Sequence, residues 1–287
     1  ETDVLTITAQ LSTVSGQTVS VPFSLSGTAV GSGTDYTITS SPISIPAGST
    51  TGTITVTLVD DLLDENNETA IVTMGVPVNA TQGATTVHTI TITDDDAAPT
   101  VQWTSAVQNS GGESGTMTVT ALLDAVSAKN VTVNYSVAGT ASGAGVDYSI
   151  TSSPIFIPAG STSANITITI ATDAIDENDE TVIVTMDSAT NATVGATNVH
   201  TATIIDDDAT PTVTFISTGQ TTAESGTVDV TLQLSAVSGL NVDIPFTINL
   251  ASTAIDPDDY SITASPVTIP AGSSSTNITL TIVSDAI

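Results

Sequence analysis

"TGTITVTLVDDLLDENNETAIVTM", residues 51–74, holds two patterns joined end to end. In its first half Ile54, Val56 and Leu58 alternate with Thr53, Thr55 and Thr57. β-Branched residues at a period of two describe a half-buried antiparallel strand, apolar on one face and hydroxylated on the other. The second half crowds five carboxylates into the nine residues from Asp60 to Glu68, with no cation among them. Like charges a few ångströms apart repel by roughly 1 kcal/mol per pair even in water. The whole chain carries one basic side chain, Lys129, so the repulsion calls for a counter-charge from outside the sequence.

The same two patterns return along the chain. "NITITIA" sets Ile166, Ile168 and Ile170 on one face, and "NITLTIV" does so with Ile278, Leu280 and Ile282. The acidic run recurs as "TDAIDENDET", Asp61 matching Asp173 and Glu68 matching Glu180 at a spacing of 112 residues. "ITDDDAAP" returns as "IIDDDATP", and the "DY" aspartates Asp35, Asp147 and Asp259 follow the same spacing. Such a period marks tandem copies of one folding unit. The boundaries fall at Pro99/Thr100 and Pro211/Thr212. Residues 1–99 lack the opening stretch, 100–211 are complete, and 212–287 lack the closing strands. The third copy is expected to be completed by continuing chain rather than by strands donated from a neighbour. The linkers are short and proline-restrained, unlike a flexible tether.

Pro and Gly punctuate each copy every eight to twelve residues or so, as in "SSPISIPAGS". About seven strands per copy, with no helix, predict an all-β chain of tandem immunoglobulin-like antiparallel sandwiches. Trp103 and its counterpart Phe215 are expected as core plugs near each first strand. His88 and His200 share the parity of inward-facing strand residues and read as packing groups rather than ligands.

Composition narrows the partners. A net charge of −29 opposes binding to nucleic acid or to anionic membrane surfaces. No run is long and apolar enough for a membrane-spanning helix. Without cysteine there is no disulfide and no thiolate metal site, and one lysine rules out repeated lysine crosslinks. No nucleophile–base pair recurs among the copies, so the chain reads as a non-enzyme. The carboxylates gather at strand ends while the solvent faces carry Thr and Ser. That differs from an acidic coat spread for solubility. Hard divalent cations want six to eight oxygens, several from carboxylates, and Ca²⁺ accepts irregular, crowded sites better than Mg²⁺. Zinc would favour His or Cys. Ten carboxylates per corner exceed the need of one ion.

"GTAVGSGTDY", "IPAGST", "VDDLLDENNET" and "DDD" occur in this order, and "GTASGAGVDY", "IPAGST", "TDAIDENDET" and "DDD" follow in the second copy. The chain resembles the Calx-β family, found in sodium–calcium exchangers and in long bacterial surface proteins. The resemblance implies a sandwich that binds a Ca²⁺ cluster at one tip. Its ligands map onto Glu1, Asp35, Asp60, Asp61, the Leu63 carbonyl, Glu65, Glu68, Asp94, Asp95 and Asp96. In the second copy they map onto Glu113, Asp147, Asp173, Ile175, Glu177, Glu180, Asp206, Asp207 and Asp208. Thr172 replaces the first aspartate of the pair there. The third copy retains Glu224, Asp259 and Asp285, and "STAIDPDDY" stands in place of its Gly-rich loop.

The expected role is a calcium-rigidified repeat of an extracellular filament or adhesin stalk on a bacterial cell surface. Its partners are neighbouring repeats of one long chain and, in a filament, further copies. A calcium-sensing regulatory module and a glycan- or ice-binding surface are the alternatives.

Overall fold

The computed structural model describes residues 3–249 and 251–284. The predicted alternation is realised as burial. Along strand Thr51–Leu58, Ile54 and Val56 are buried while Thr53, Thr55 and Thr57 face out. Strand Ser163–Ile170 repeats this with Ile166, Ile168 and Ile170 inside. Valine, isoleucine and threonine are stiff at χ1 and suit the pleat, so the same residues that set the period also favour the strand.

Three separate apolar cores result. The first gathers buried residues from Ile7 to Ile92, the second from Val101 to Ile204, and the third Leu232, Val267 and Ile278. No helix is present among the described residues. The middle module shows the complete arrangement. One five-stranded sheet orders Val107–Asn109, Val199–Ile204, Glu180–Thr190, Val131–Gly139 and Ile155–Ile157. The facing sheet orders Tyr148–Ile150, Ser163–Ile170, Thr116–Leu123, Thr100–Trp103 and Thr193–Val194. Most pairings are antiparallel. The exceptions are Val107–Asn109 against Val199–Ile204 and Thr193–Val194 against Thr100–Trp103.

The middle module thus has ten strand segments where about seven were expected. The opening strand accounts for part of the excess. It breaks at Thr104–Ala106 and passes from one sheet to the other, a common way to close a sandwich edge. Trp103 lies on its first half, 1% exposed, and its indole nitrogen donates to the Asn198 carbonyl. Tyr135 meets it edge-on with ring centroids 6.5 Å apart. The expected plug is therefore in place here.

Two expectations about the flanking modules need correction. Phe215 is 57% exposed rather than a plug. Among the described residues the third module has no counterpart of Glu180–Thr190 or Val199–Ile204, so nothing lies over it. His88 is likewise exposed, although its parity is inward. In the middle module His200 is 2% exposed because the opening strand covers it, with Nδ1 2.7 Å from the Ser105 carbonyl oxygen. The first module has no such strand among its described residues, and a cavity lined by Ile7, Val21, Val72 and His88 lies there.

The strand ends carry the charged groups to one tip of each module. Asp147 immediately precedes Tyr148–Ile150, Glu113 shortly precedes Thr116–Leu123, residues 173–179 follow Ser163–Ile170, and Asp206 to Asp208 follow Val199–Ile204. Gly139, at φ 132°, lets Val131–Gly139 end beside Thr181; a Cβ there would overlap the Thr181 carbonyl oxygen. Gly27 repeats this against Thr69.

Candidate metal centre

In the middle module the tip brings two acidic triads together. Asp147, Glu177 and Glu180 present carboxylate oxygens within 4.8 Å of one another, and so do Glu113, Asp207 and Asp208. The backbone fixes their positions. Asp147 Oδ2 accepts from the Ser142 amide, closing the Gly-rich loop, while the Ala171 amide donates to the Asp147 carbonyl at 2.8 Å. Asp173 accepts from the Ile175 amide at 2.9 Å, Asp206 from the Glu177 amide at 3.2 Å, and Asp207 from the Glu113 amide at 3.3 Å. Each of these aspartates thus has one oxygen tied to a loop amide, and Asp147 and Asp207 also belong to the triads. Gly112, at φ 150°, allows this approach: a Cβ there would run into Asp207 Oδ2.

Among the described residues no basic side chain pairs with these carboxylates; the ion pairs of Lys129 go to Asp64 and Asp94. Glu113 Oε2 and Asp208 Oδ2 are buried without a hydrogen-bond partner. A buried orphan carboxylate oxygen is costly, and the donor set is all hard oxygen. Burial, together with Asp173, Asp206, Asp208 and Glu177, pushes the Glu113 carboxyl up to about 7. Burial, followed by Asp147, Glu177 and Glu113, pushes Glu180 up to about 7 as well. Glu177 and Asp208 are raised for the same reasons, burial first and neighbouring carboxylates second. The site fits a divalent cation or a cluster of them.

The first module repeats one triad, Asp35, Glu65 and Glu68. Asp94 accepts from the Glu65 amide at 3.1 Å and Asp61 from the Leu63 amide at 2.8 Å. Burial raises the Glu65 carboxyl, assisted by Asp35, Asp61 and Asp94. Partial desolvation, with Asp95, Asp94, Asp61 and Asp60, raises Asp96. The Glu65 amide bond to Asp94 brings the closing run to the same tip as the triad. Glu1 lies outside the described residues, as does Asp285 in the third module. There, Glu224 and Asp259 line a common cavity, and Asp259 accepts from the Ile255 amide at 2.7 Å. Among the described residues no third acidic group joins them.

The acidic loop has a second destination that the ligand assignment omitted. Asp64 is 4% exposed and turns away from the tip to the next module. Its Oδ2 accepts from the Ser127 hydroxyl at 2.7 Å and its Oδ1 from Lys129 Nζ at 2.7 Å. Lys129 also reaches Asp94 at 3.3 Å. Burial alone would raise the Asp64 carboxyl, but Lys129 and Ser127 together hold it below its ordinary value. The expectation that no basic side chain takes part is therefore corrected: the single lysine is spent at this joint. In the second joint Asp176 Oδ2 accepts from the Ser238 hydroxyl at 3.0 Å. The available signal was the recurrence of "AVS" at 125–127 and 236–238, each one module downstream of its aspartate.

Solved structures of Calx domains are similar to parts of this chain. The CBD12 crystal structure from CALX1.2 shares 18% identity over 66% of this chain and 76% of that one, TM-score 0.36. The calcium binding domain CBD12 of CALX1.1 shares 15% over 69% and 92%, TM-score 0.31. The apo Calx CBD1 domain shares 20% over 39% and 100%, TM-score 0.35. Comparison with curated protein sequences gave no match. The Calx-beta domain family matches three times in tandem, over residues 2–96, 94–208 and 206–287. With nearly every residue inside one of those matches, the chain belongs to the Calx-beta domain family, whose modules bind calcium.

Proposed function

We propose that each complete tip of this chain holds Ca²⁺ and that the chain is a structural repeat of an extracellular filament or adhesin stalk on a bacterial surface. The two triads of the middle module, with Glu113 Oε2 and Asp208 Oδ2 buried and unpartnered, carry the reading. In the first module the ligands are Asp35, Asp60, Asp61, the Leu63 carbonyl, Glu65, Glu68 and Asp94 to Asp96. In the middle module they are Glu113, Asp147, Asp173, the Ile175 carbonyl, Glu177, Glu180 and Asp206 to Asp208. The closing aspartates belong both to the tip and to the linker, so an ion bound there ties each module to the start of the next. Neighbouring repeats are then the partners, and further copies are partners in a filament. Extracellular calcium matches sites of about 10⁻⁴–10⁻³ M.

Trp103 is the only tryptophan of the chain and is buried in the middle module, so its fluorescence reports that module within the intact chain. A site of about 10⁻⁴ M at millimolar Ca²⁺ adds about 1.4 kcal/mol to folding. The Trp103-reported Tm should rise in Ca²⁺ relative to chelator and rise much less in equal Mg²⁺. Equal Tm in Ca²⁺ and chelator would remove the calcium reading.

A further inference from the structure

We propose that the two joints share one aspartate–serine pin but differ in their third partner: the first joint carries its own cation, Lys129, and the second carries none. The second half of this inference rests on the calcium reading above; the first half does not.

The pin is the same at both joints. Asp64 and Ser127 form a parallel bridge, as do Asp176 and Ser238. The Ala128 amide donates to the Asp64 carbonyl and the Gly239 amide to the Asp176 carbonyl, both at 3.0 Å. Ser127 and Ser238 are each 1% exposed. Each serine is held in advance by its own module: Gly160 donates to the Ser127 carbonyl and Gly272 to the Ser238 carbonyl, both at 2.9 Å. Ser15 receives the same bond from Gly48, so the receiving turn is built into every module.

The third partner differs. Asp64 Oδ1 faces the Lys129 ammonium, which also spans to Asp94 of the closing run. Asp176 Oδ1 faces a neutral hydroxyl of the linker, Thr210, at 3.2 Å. The residue at Lys129's place in the second joint is Leu240: its amide bonds Ser238 Oγ at 3.1 Å, as that of Lys129 bonds Ser127 Oγ at 3.0 Å. A charge-assisted bond is roughly twice as strong as a neutral one. In the first joint the ammonium links acidic loop, closing run and next module without an added ion. In the second, the closing run has only a bound metal to offset its charge, so that joint is the calcium-responsive one.

The absence of cysteine makes the test direct in the full chain. Spin labels at Ser44→Cys and Thr169→Cys span the first joint; Thr169→Cys and Thr281→Cys span the second. All three positions are exposed on strands. In chelator the first-joint distance distribution should stay narrow and the second should broaden. Lys129→Leu should broaden the first in chelator, with about tenfold more open population. Leu240→Lys should narrow the second. Unchanged Trp103 emission in each variant separates joint opening from unfolding. Equal widths at the two joints in chelator, or a Lys129→Leu chain as narrow as the parent, would overturn the proposal. A second joint that is broad with and without Ca²⁺, beside a first joint that needs Lys129, would support the built-in cation and sink calcium stiffening.

Discussion

Acidification should stabilise the calcium-free middle module, which is the reverse of ordinary acid denaturation. Glu113 and Glu180 are each pushed from 4.5 to about 7 in the folded chain. Between those values the folded state binds protons that the unfolded state does not. Stability therefore falls as pH rises through this window and grows as pH is lowered through it. From pH 7.5 to 5.5 each group would supply just under about 2 kcal/mol if the displacement were fully felt. The two share one charged tip open to solvent, so screening cuts the pair to about 1–2 kcal/mol. For a module of this size that is a rise of roughly 4–8 °C in Tm. The assay is thermal unfolding of the intact chain in chelator, followed by Trp103 fluorescence. In saturating Ca²⁺ the slope should reverse, because protons and metal compete for the same oxygens. Glu113→Gln with Glu180→Gln should remove most of the rise in chelator. A Tm that is flat or falling toward pH 5.5 in chelator would refute the assignment. A full rise retained in the double variant would assign it to the general charge of −29 instead.

Glu177→Gln and Asp207→Asn should each weaken Ca²⁺ binding by calorimetry while leaving Trp103 emission unchanged, because they remove charge and no core volume. Asp229→Asn is the control: Asp229 accepts from Thr279 and Asn277 on an exposed sheet face, and Ca²⁺ affinity should stay at the parent value. Gly112→Ala should also lower affinity, since its Cβ would displace Asp207. Replacing Asp206, Asp207 and Asp208 by Asn should reduce any calcium-dependent increase in the maximum dimension seen by small-angle scattering. If the triple variant still responds to Ca²⁺ as the parent does, the closing run is not the shared ligand.

The period-two alternation of Ile54, Val56, Ile166 and Ile168 was enough to read all-β sandwiches, because side chains on a strand alternate faces whatever the partner strand is. The 112-residue repeat placed the acidic runs at equivalent strand ends, so the gathering of Asp35, Glu65 and Glu68 and of Asp147, Glu177 and Glu180 was foreshadowed by the sequence. Parity, however, says which way a side chain points and nothing about what covers it. His88 and His200 share a parity, yet one is exposed and the other 2% exposed, because among the described residues only the second lies under an opening strand. Phe215 and Trp103 differ for a related reason: burial is set by the opposing sheet, and the sequence pattern of one strand does not contain its neighbour.

The joint shows the same division most sharply. From the chain alone, Asp64 is one more carboxylate among five, and Lys129 is one cation 65 residues away. Sequence determined that the acidic loop exists, that it recurs, and that like charge there needs compensation. Only the tertiary arrangement decided that Asp64 and Asp176 leave the tip, dock on Ser127 and Ser238, and meet different third partners. Electrostatic pairing depends on distance through space, and a contact between modules is fixed by how two folded surfaces meet rather than by the spacing along either strand.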